Sequence, residues 1–129
     1  MKIGVRVHDF GKSNPATLAS QAKAIGFDGV QLVLNKAIEG ETGLPGTLSK
    51  EKAISIQKAF EDEGLEIFMM GAYFNPVHSN KQLVQTNIAK FKEHLKYLKD
   101  FKGHYVGSET GSYNDDKWTY NPLNRTEEA

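Results

Sequence analysis

The sequence predicts an α/β fold in which parallel strands alternate with helices. Four short apolar runs are separated by segments long enough to form helices, and parallel pairing requires crossovers of that length. Each of the three predicted helices ends at a glycine, namely Gly26, Gly64 and Gly103. Polar side chains follow the strands directly, where open α/β sheets and α/β barrels place their ligands.

The composition indicates one small globular domain. At 129 residues the chain is long enough for one core, and we treat 1–129 as a single domain. The 16 basic residues balance 16 acidic ones, which disfavours a nucleic-acid partner. Cysteine is absent, which excludes disulfides and thiolate metal sites. No signal peptide or membrane-spanning stretch is evident, so we expect a cytoplasmic protein.

The first predicted unit is a strand of alternating apolar residues, Ile3, Val5 and Val7, followed by the polar pair His8-Asp9. Asn14 is a suitable N-cap for the helix that follows, with Pro15 at its first position. Residues at helical spacing are expected to face the sheet: Leu18, Ala22 and Ile25.

The second predicted unit begins with a strand over Val30–Leu34 that contains Gln31. A long glycine-rich loop, residues 35–48, follows it, and Ser49 is the expected cap of the second helix.

The third unit contains the most apolar strand, Leu65–Met70, which we expect to be central in the sheet. Tyr73, Asn75 and His78 follow it. Ser79–Gln82 is a capping-box pattern that predicts the start of the longest helix. The expected apolar stripe of this helix is Val84, Ile88, Phe91, Leu95 and Leu98.

A short fourth strand begins at Tyr105-Val106 and leads into Gly107–Gly111, which contains Glu109. Thr126-Glu127-Glu128 then has the pattern of a helix N-terminus. Because the sequence stops at Ala129, we expect a longer protein truncated after its fourth strand, with a fifth unit missing.

Position relative to the strands sorts the candidate functional residues. Glu109, His78 and His8 all follow strands, and a carboxylate and an imidazole that converge from neighbouring strands can ligate a divalent metal or share acid/base chemistry. His94 lies on a helix and His104 precedes the fourth strand, so we interpret both as structural.

Four segments together resemble the first half of the xylose-isomerase-like TIM barrels. These segments are Val7–Phe10, Ile25–Leu32, Tyr73–His78 and Val106–Gly111. The superfamily includes sugar and sugar-phosphate isomerases and epimerases as well as endonuclease IV, the family 2 apurinic endonuclease. The resemblance implies the first half of a (β/α)8 barrel, with strands one to four and helices one to three, since a complete barrel needs about 250 residues.

The function implied by this resemblance is metal-dependent isomerisation or epimerisation of a small carbohydrate or sugar phosphate. We expect Glu109 and His78 as catalytic groups, and Glu109 also as one possible metal ligand. The substrate-binding residues would be His8, Gln31, Tyr73 and Asn75. The cofactor would be Mn²⁺, Mg²⁺ or Zn²⁺ in the full-length protein. The family often has a glutamate where this chain has Gln31, and several of its metal ligands come from strands five to eight, so we expect this chain alone to be inactive.

Two alternatives remain open. One is an endonuclease IV-like phosphodiesterase, which the zero net charge disfavours. The other is a non-catalytic half-barrel that associates as a homodimer through its open sheet edges.

Overall fold

The computed structural model describes residues 1–117 and 119–127, and its centre is a four-stranded parallel sheet. The strands are β1 (Gly4–Arg6), β2 (Gly29–Leu32), β3 (Glu66–Gly71) and β4 (Tyr105–Gly107), in that spatial order. The helices are α1 (Pro15–Ile25), α2 (Leu34–Ala37), α3 (Lys50–Glu61) and α4 (Lys81–Tyr97), with 3-10 segments at Val7–Phe10 and Pro122–Arg125. This arrangement is an α/β half-barrel, which confirms the predicted fold class.

Side-chain caps start the three longer helices. The Asn14 side chain accepts a hydrogen bond from the Thr17 N–H at 2.9 Å, and Ser49 accepts one from Lys52 at 3.1 Å, as predicted. The cap of α4 is Asn80, one residue later than the capping-box pattern indicated. Ser79 instead donates its hydroxyl hydrogen to the Asp115 carboxylate, because the loop after β4 folds back over this position.

The hydrophobic core lies between the sheet and its helices. Leu32 and Met70 extend from the sheet into it, while Leu18, Phe60 and Phe101 reach it from the helical layer, and all five are fully buried. β3 pairs with β2 on one side and β4 on the other, so the predicted central strand is confirmed.

Phe68 of β3 packs against glycines of the neighbouring strands β1 and β2. A β-bulge shifts the β2–β3 register so that Val30 pairs with Ile67 but Gln31 pairs with Met69, which leaves Phe68 unpaired. A Cβ atom at Gly4 would lie 2.7 Å from the Phe68 ring, and one at Gly29 would also lie 2.7 Å from it. Glycines on the neighbouring strands therefore provide the space that Phe68 occupies.

β2 is shorter than predicted. It ends at Leu32, and Leu34 begins the single-turn helix α2 rather than completing the strand. Leu34 and Ala37 are buried in the core, and Ser13 forms a parallel bridge with Ile38. Burial in this tertiary context explains the difference, since an apolar run of this kind suits a short buried helix as well as a strand.

The long loop after α2 is attached to α4 by one carboxylate. Glu93 accepts backbone hydrogen bonds from Gly46 at 2.6 Å and from Leu48 at 2.9 Å. Lys52 of α3 forms a 2.9 Å ion pair with Glu41 in the same loop. These contacts attach the loop between α2 and α3 to both α3 and α4.

Two expected core residues are instead exposed. Ile25 is 63% exposed at the end of α1, and Leu95 is 49% exposed on α4. His94 is buried in place of Leu95, so the buried face of α4 is rotated relative to the predicted stripe. No helix in the described part of the chain combines the length and apolarity needed to cross a membrane.

The helix start predicted at Thr126-Glu127-Glu128 lies only partly within the described residues. A 3-10 turn at Pro122–Arg125 precedes Thr126, which has an extended backbone. Glu128 lies outside the described residues.

Candidate active site

A cleft of about 540 Å³ opens at the carboxyl ends of the strands. We call it the main cleft, and its lining consists of polar and charged side chains from all four strand ends: Arg6, His8, Gln31, Lys36, Tyr73 and Glu109. Parallel strands end at the same edge of a sheet, so residues far apart in sequence converge there. Four predicted site residues, His8, Gln31, Tyr73 and Glu109, share this cleft.

Gln31 and Tyr73 form a polar pair in the lining. Gln31 is on β2 and Tyr73 follows β3, and the Gln31 side-chain amide donates a hydrogen bond to the Tyr73 hydroxyl. Both residues are half-buried. The hydroxyl hydrogen of Tyr73 is thereby left to donate to another acceptor.

His8 contributes an imidazole from the 3-10 segment after β1. Its Nδ1 is buried and has no hydrogen-bond partner in the described part of the chain. Burial lowers the pKa of His8, and nearby Asp9 opposes this effect while Lys36 and Arg6 reinforce it. The imidazole is therefore neutral at pH 7, with one nitrogen able to donate a hydrogen bond and the other able to accept one.

Arg6 and Lys36 place two cations in the main cleft, and neither was predicted from the sequence. Arg6 is the last residue of β1 and is paired with Asp9, with Nη2 3.1 Å from the carboxylate. Lys36 lies on α2, and its Nζ is 6.0 Å from the centre of the Tyr73 ring. The position of Arg6 at a strand end was the available signal, whereas Lys36 gave none because α2 itself was not predicted.

Within residues 1–117 and 119–127, Glu109 is the one carboxylate that lines the main cleft. It follows β4 and is exposed, in the loop between Gly107 and Gly111. Gly111 has a φ of +91°, a left-handed conformation that favours glycine, so this residue supports the turn after Glu109. Glu109 also lines a second cleft and so forms the boundary between the two.

The second cleft, of about 240 Å³, contains the remaining predicted residues His78 and Asn75. His78 Nδ1 accepts a hydrogen bond from the Asn80 backbone N–H at 2.9 Å, which places the ring proton on Nε2. His78 Nε2 is 3.3 Å from an Asp116 carboxylate oxygen, in an orientation that makes no hydrogen bond. The side chain of His78 is only 11% exposed.

Asn75 fixes the loop that follows β4. Its amide nitrogen donates to the carbonyl oxygens of Ser112 at 2.6 Å and Asp115 at 2.8 Å. Its amide oxygen accepts from the N–H groups of Val77 and Ser112, both at 3.1 Å. With its polar atoms used in this way, Asn75 is placed to hold the Glu109 loop beside the clefts.

The carboxylates and imidazoles do not form a metal-binding set. Among residues 1–117 and 119–127, no group of three His, Asp or Glu side chains has a geometry that could hold a metal ion. The main cleft offers one carboxylate, Glu109, and one imidazole, His8, whereas divalent ions of this class require more ligands. These residues do not fit the expected metal by themselves.

The arrangement has the components of a polar substrate site. A carboxylate can accept or return a proton, the Tyr73 hydroxyl and the neutral imidazole can hydrogen-bond to hydroxyl or carbonyl oxygens, and two cations can attract negative charge.

The family model of the xylose isomerase-like TIM barrel matches residues 19–127, so the chain belongs to this family. No curated protein matches the sequence significantly.

Similar solved structures agree with this family in fold. D-psicose 3-epimerase superposes with a TM-score of 0.61 at 15% identity, covering 94% of this chain and 42% of the epimerase. The E. coli 3-keto-D-glucoside 4-epimerase YcjR gives 0.58 at 18% identity, over 82% of this chain and 36% of its own. The probable 3-DHS dehydratase AsbF of Bacillus anthracis superposes with a TM-score of 0.57 at 18% identity, covering 84% of this chain and 38% of the dehydratase. The chain therefore spans about two fifths of the length of these proteins.

Proposed function

We propose that this chain provides the β1–β4 half of the active site of a sugar or sugar-phosphate isomerase or epimerase. The observation that carries the proposal is the main cleft, in which Glu109, His8, Gln31 and Tyr73 converge from four strand ends. Membership of the xylose isomerase-like family supports the same reaction class, and two of the similar structures are named as epimerases.

In this proposal Glu109 is the acid/base group. Moving a proton next to a carbonyl requires a base within reach of the substrate carbon, and Glu109 is the only carboxylate that lines the main cleft among the described residues. Gln31 and Tyr73 bind the hydroxyl and carbonyl oxygens of the substrate, and His8 is a further substrate-binding group.

His78 and Asn75 have less direct parts in this proposal. The His78 ring lies in the second cleft, which Glu109 also lines, and its Nε2 is buried beside Asp116, so His78 supports Glu109 from that side. Asn75 keeps the Glu109 loop in place through its four hydrogen bonds.

The family resemblance suggests a divalent metal, but we assign it no step. The described residues contribute one cleft carboxylate and no set of three ligands. The proposal therefore concerns the binding and proton-transfer groups of this half only.

Turnover measurements test the proposal. We expect the 129-residue chain alone to show negligible activity on ketoses and their phosphates, with or without Mn²⁺ or Mg²⁺. In a protein where the chain continues through the remaining strands, Glu109→Gln and His78→Ala should each lower kcat/KM by at least about tenfold, or about 1.4 kcal/mol. Apurinic-site DNA serves as the competing substrate, and its cleavage would favour the endonuclease alternative.

Matched variants provide the controls. Glu63→Gln changes an exposed carboxylate in the turn after α3, and His104→Ala changes an exposed imidazole that precedes β4 at the opposite end of the sheet. Both controls should retain normal kinetics. Near-normal kinetics in the Glu109 variant, or robust ketose turnover by the 129-residue chain, would contradict the proposal.

A further inference from the structure

Positive charge is concentrated on the side of the main cleft formed by β1 and α2. Arg6 and Lys36 both line the cleft there, with His8 between them in sequence. Glu109, the one carboxylate in the lining among the described residues, follows β4, the strand farthest from β1 in the sheet. The cleft therefore has a cationic side and an anionic side.

The charge of Lys36 has no carboxylate partner. Five other basic side chains in the described part of the chain, Lys2, Arg6, Lys52, Lys58 and Lys102, are each within 4.0 Å of a carboxylate. The Nζ of Lys36 instead lies over the Tyr73 ring, 6.0 Å from its centre. Lys36 is exposed, and no carboxylate within residues 1–117 and 119–127 lies within ion-pair distance of it, so its charge is available to a ligand in the cleft.

Lys90 adds to the positive potential near Lys36. Lys90 is half-buried on α4, and its Nζ donates a hydrogen bond to the Asn35 side chain at 3.4 Å. Asn35 directly precedes Lys36 in the sequence. Burial lowers the pKa of Lys90, and the charge of Lys36 lowers it further. Two like charges close enough to affect one another both lack a carboxylate partner among the described residues.

Hydrogen-bond donors are also available on this side. The Arg6 guanidinium binds Asp9 through Nε at 3.2 Å and Nη2 at 3.1 Å, which leaves Nη1 without a partner in the described chain. His8 lines the same cleft, and its imidazole is a further hydrogen-bonding group there. A guanidinium, an ammonium and an imidazole are the groups that bind an oxyanion most strongly.

We infer that the main cleft binds a negatively charged carbohydrate, with its phosphate or carboxylate held by Arg6, His8 and Lys36. The hydroxylated carbons then extend toward Tyr73 and Glu109, because the Glu109 carboxylate repels an anion on its own side. This orientation rests on the proposed function, whereas the anion site itself does not.

Binding of simple anions to the 129-residue chain tests the site. Inorganic phosphate and acetate, added separately at pH 7 with chloride as the ionic-strength control, represent the two sources of the oxyanion. We expect phosphate or acetate to shift the His8 ring resonances in NMR spectra and to raise the His8 pKa. The reason is that a bound anion favours the protonated imidazole, whereas the charges of Lys36 and Arg6 lower the His8 pKa. An unchanged His8 signal with both anions would overturn the inference.

Charge variants identify the groups responsible. Lys36→Gln should weaken binding of the effective anion by about tenfold, since it removes a direct charge-assisted contact. Lys50→Gln, an exposed lysine on α3, is the matched control and should bind normally. Equal weakening in both variants would mean that only general surface charge is involved, and the specific site would be wrong.

A ketose and its phosphate separate this inference from the proposed function. If a neutral ketose perturbs Tyr73 and Glu109 while neither anion affects His8, the anion site is wrong and the proposed function stands. If an anion binds at His8 but neither sugar perturbs Glu109, the proposed function is wrong and the anion site stands.

Discussion

Gln31 and Tyr73 are joined by a hydrogen bond from the Gln31 side-chain amide to the Tyr73 hydroxyl, which connects the ends of β2 and β3 in the wall of the main cleft. The pair spans 42 residues of sequence, so it couples two strand ends that carry proposed substrate-binding groups. A neutral amide in this position donates its hydrogen and leaves the hydroxyl hydrogen of Tyr73 available to a substrate.

The coupling between Gln31 and Tyr73 can be measured directly. Tyr73→Phe and Gln31→Leu each remove one side of the hydrogen bond, and the remaining half-buried polar group loses its partner. We expect a double-mutant cycle on chemical denaturation to give a coupling of about 1 kcal/mol. Additive effects of the two changes would show that the hydrogen bond contributes nothing measurable to stability.

Asn75 provides a sharper stability prediction because its amide makes four hydrogen bonds, two of them to Ser112. Asn75→Ala should lower the free energy of unfolding by about 2 kcal/mol, since it leaves several backbone groups unpaired. It should also increase amide hydrogen exchange at Ser112, whose N–H loses its acceptor.

The matched control for this change is Asn87→Ala. The Asn87 side chain donates one hydrogen bond, to the Leu83 carbonyl within α4. We expect it to cost well under 1 kcal/mol and to leave exchange at Ser112 unchanged. Faster exchange at Ser112 in the control, or its absence in Asn75→Ala, would contradict the assigned role.

The features that the sequence predicted are those determined locally. Helix starts depend on short-range capping, so Asn14 and Ser49 were identified correctly from their neighbours alone. The run Leu65–Met70 predicted a central strand because few other environments suit so many apolar residues in succession.

Features determined by tertiary contacts could not be predicted from the sequence. Leu95 fits a helical stripe as well as His94 does, and only the packing of α4 decides which of them is buried. The charge of Lys36 reaches the cleft because α2 folds between β2 and the long loop, which no local pattern indicated. Likewise, three of the four hydrogen bonds of Asn75 join it to residues 37 to 40 positions away along the chain.

His94 makes stability depend on pH. Burial lowers its pKa from the ordinary value of 6.5, although the hydrogen bond between Nδ1 and the Lys90 carbonyl and the charge of Glu93 oppose this. As the pH falls through 6.5, the unfolded chain binds a proton at His94 before the folded chain does. The free energy of unfolding should therefore decrease from pH 7.5 downward until the pH passes below the folded-state pKa of His94.

Replacing His94 should flatten this dependence. We expect His94→Gln to reduce the slope of unfolding free energy against pH between about pH 7 and 5, whatever its effect on overall stability. His104→Gln, which changes an exposed histidine, should keep the slope of the original protein. An identical slope in the His94 variant would show that other groups cause the acid sensitivity.

The last prediction concerns self-association of the 129-residue chain. Within the described residues β1 pairs only with β2 and β4 only with β3, so each presents an edge with unpaired backbone groups. Exposed apolar side chains lie near both edges, with Ile3 52% exposed before β1 and Tyr105 71% exposed on β4. Two copies that meet through these edges bury both features at once, and two-fold association is the commonest outcome for identical chains.

We therefore expect a homodimer in sedimentation or light scattering at micromolar concentration. An edge charge should disrupt it: Tyr105→Lys places a charge on the outer strand and should shift the population toward monomer. Tyr120→Lys is the matched control, because Tyr120 is 73% exposed but lies outside the sheet. A well-folded, dispersed monomer of 14.4 kDa for the unchanged chain would show that the two edges do not drive association.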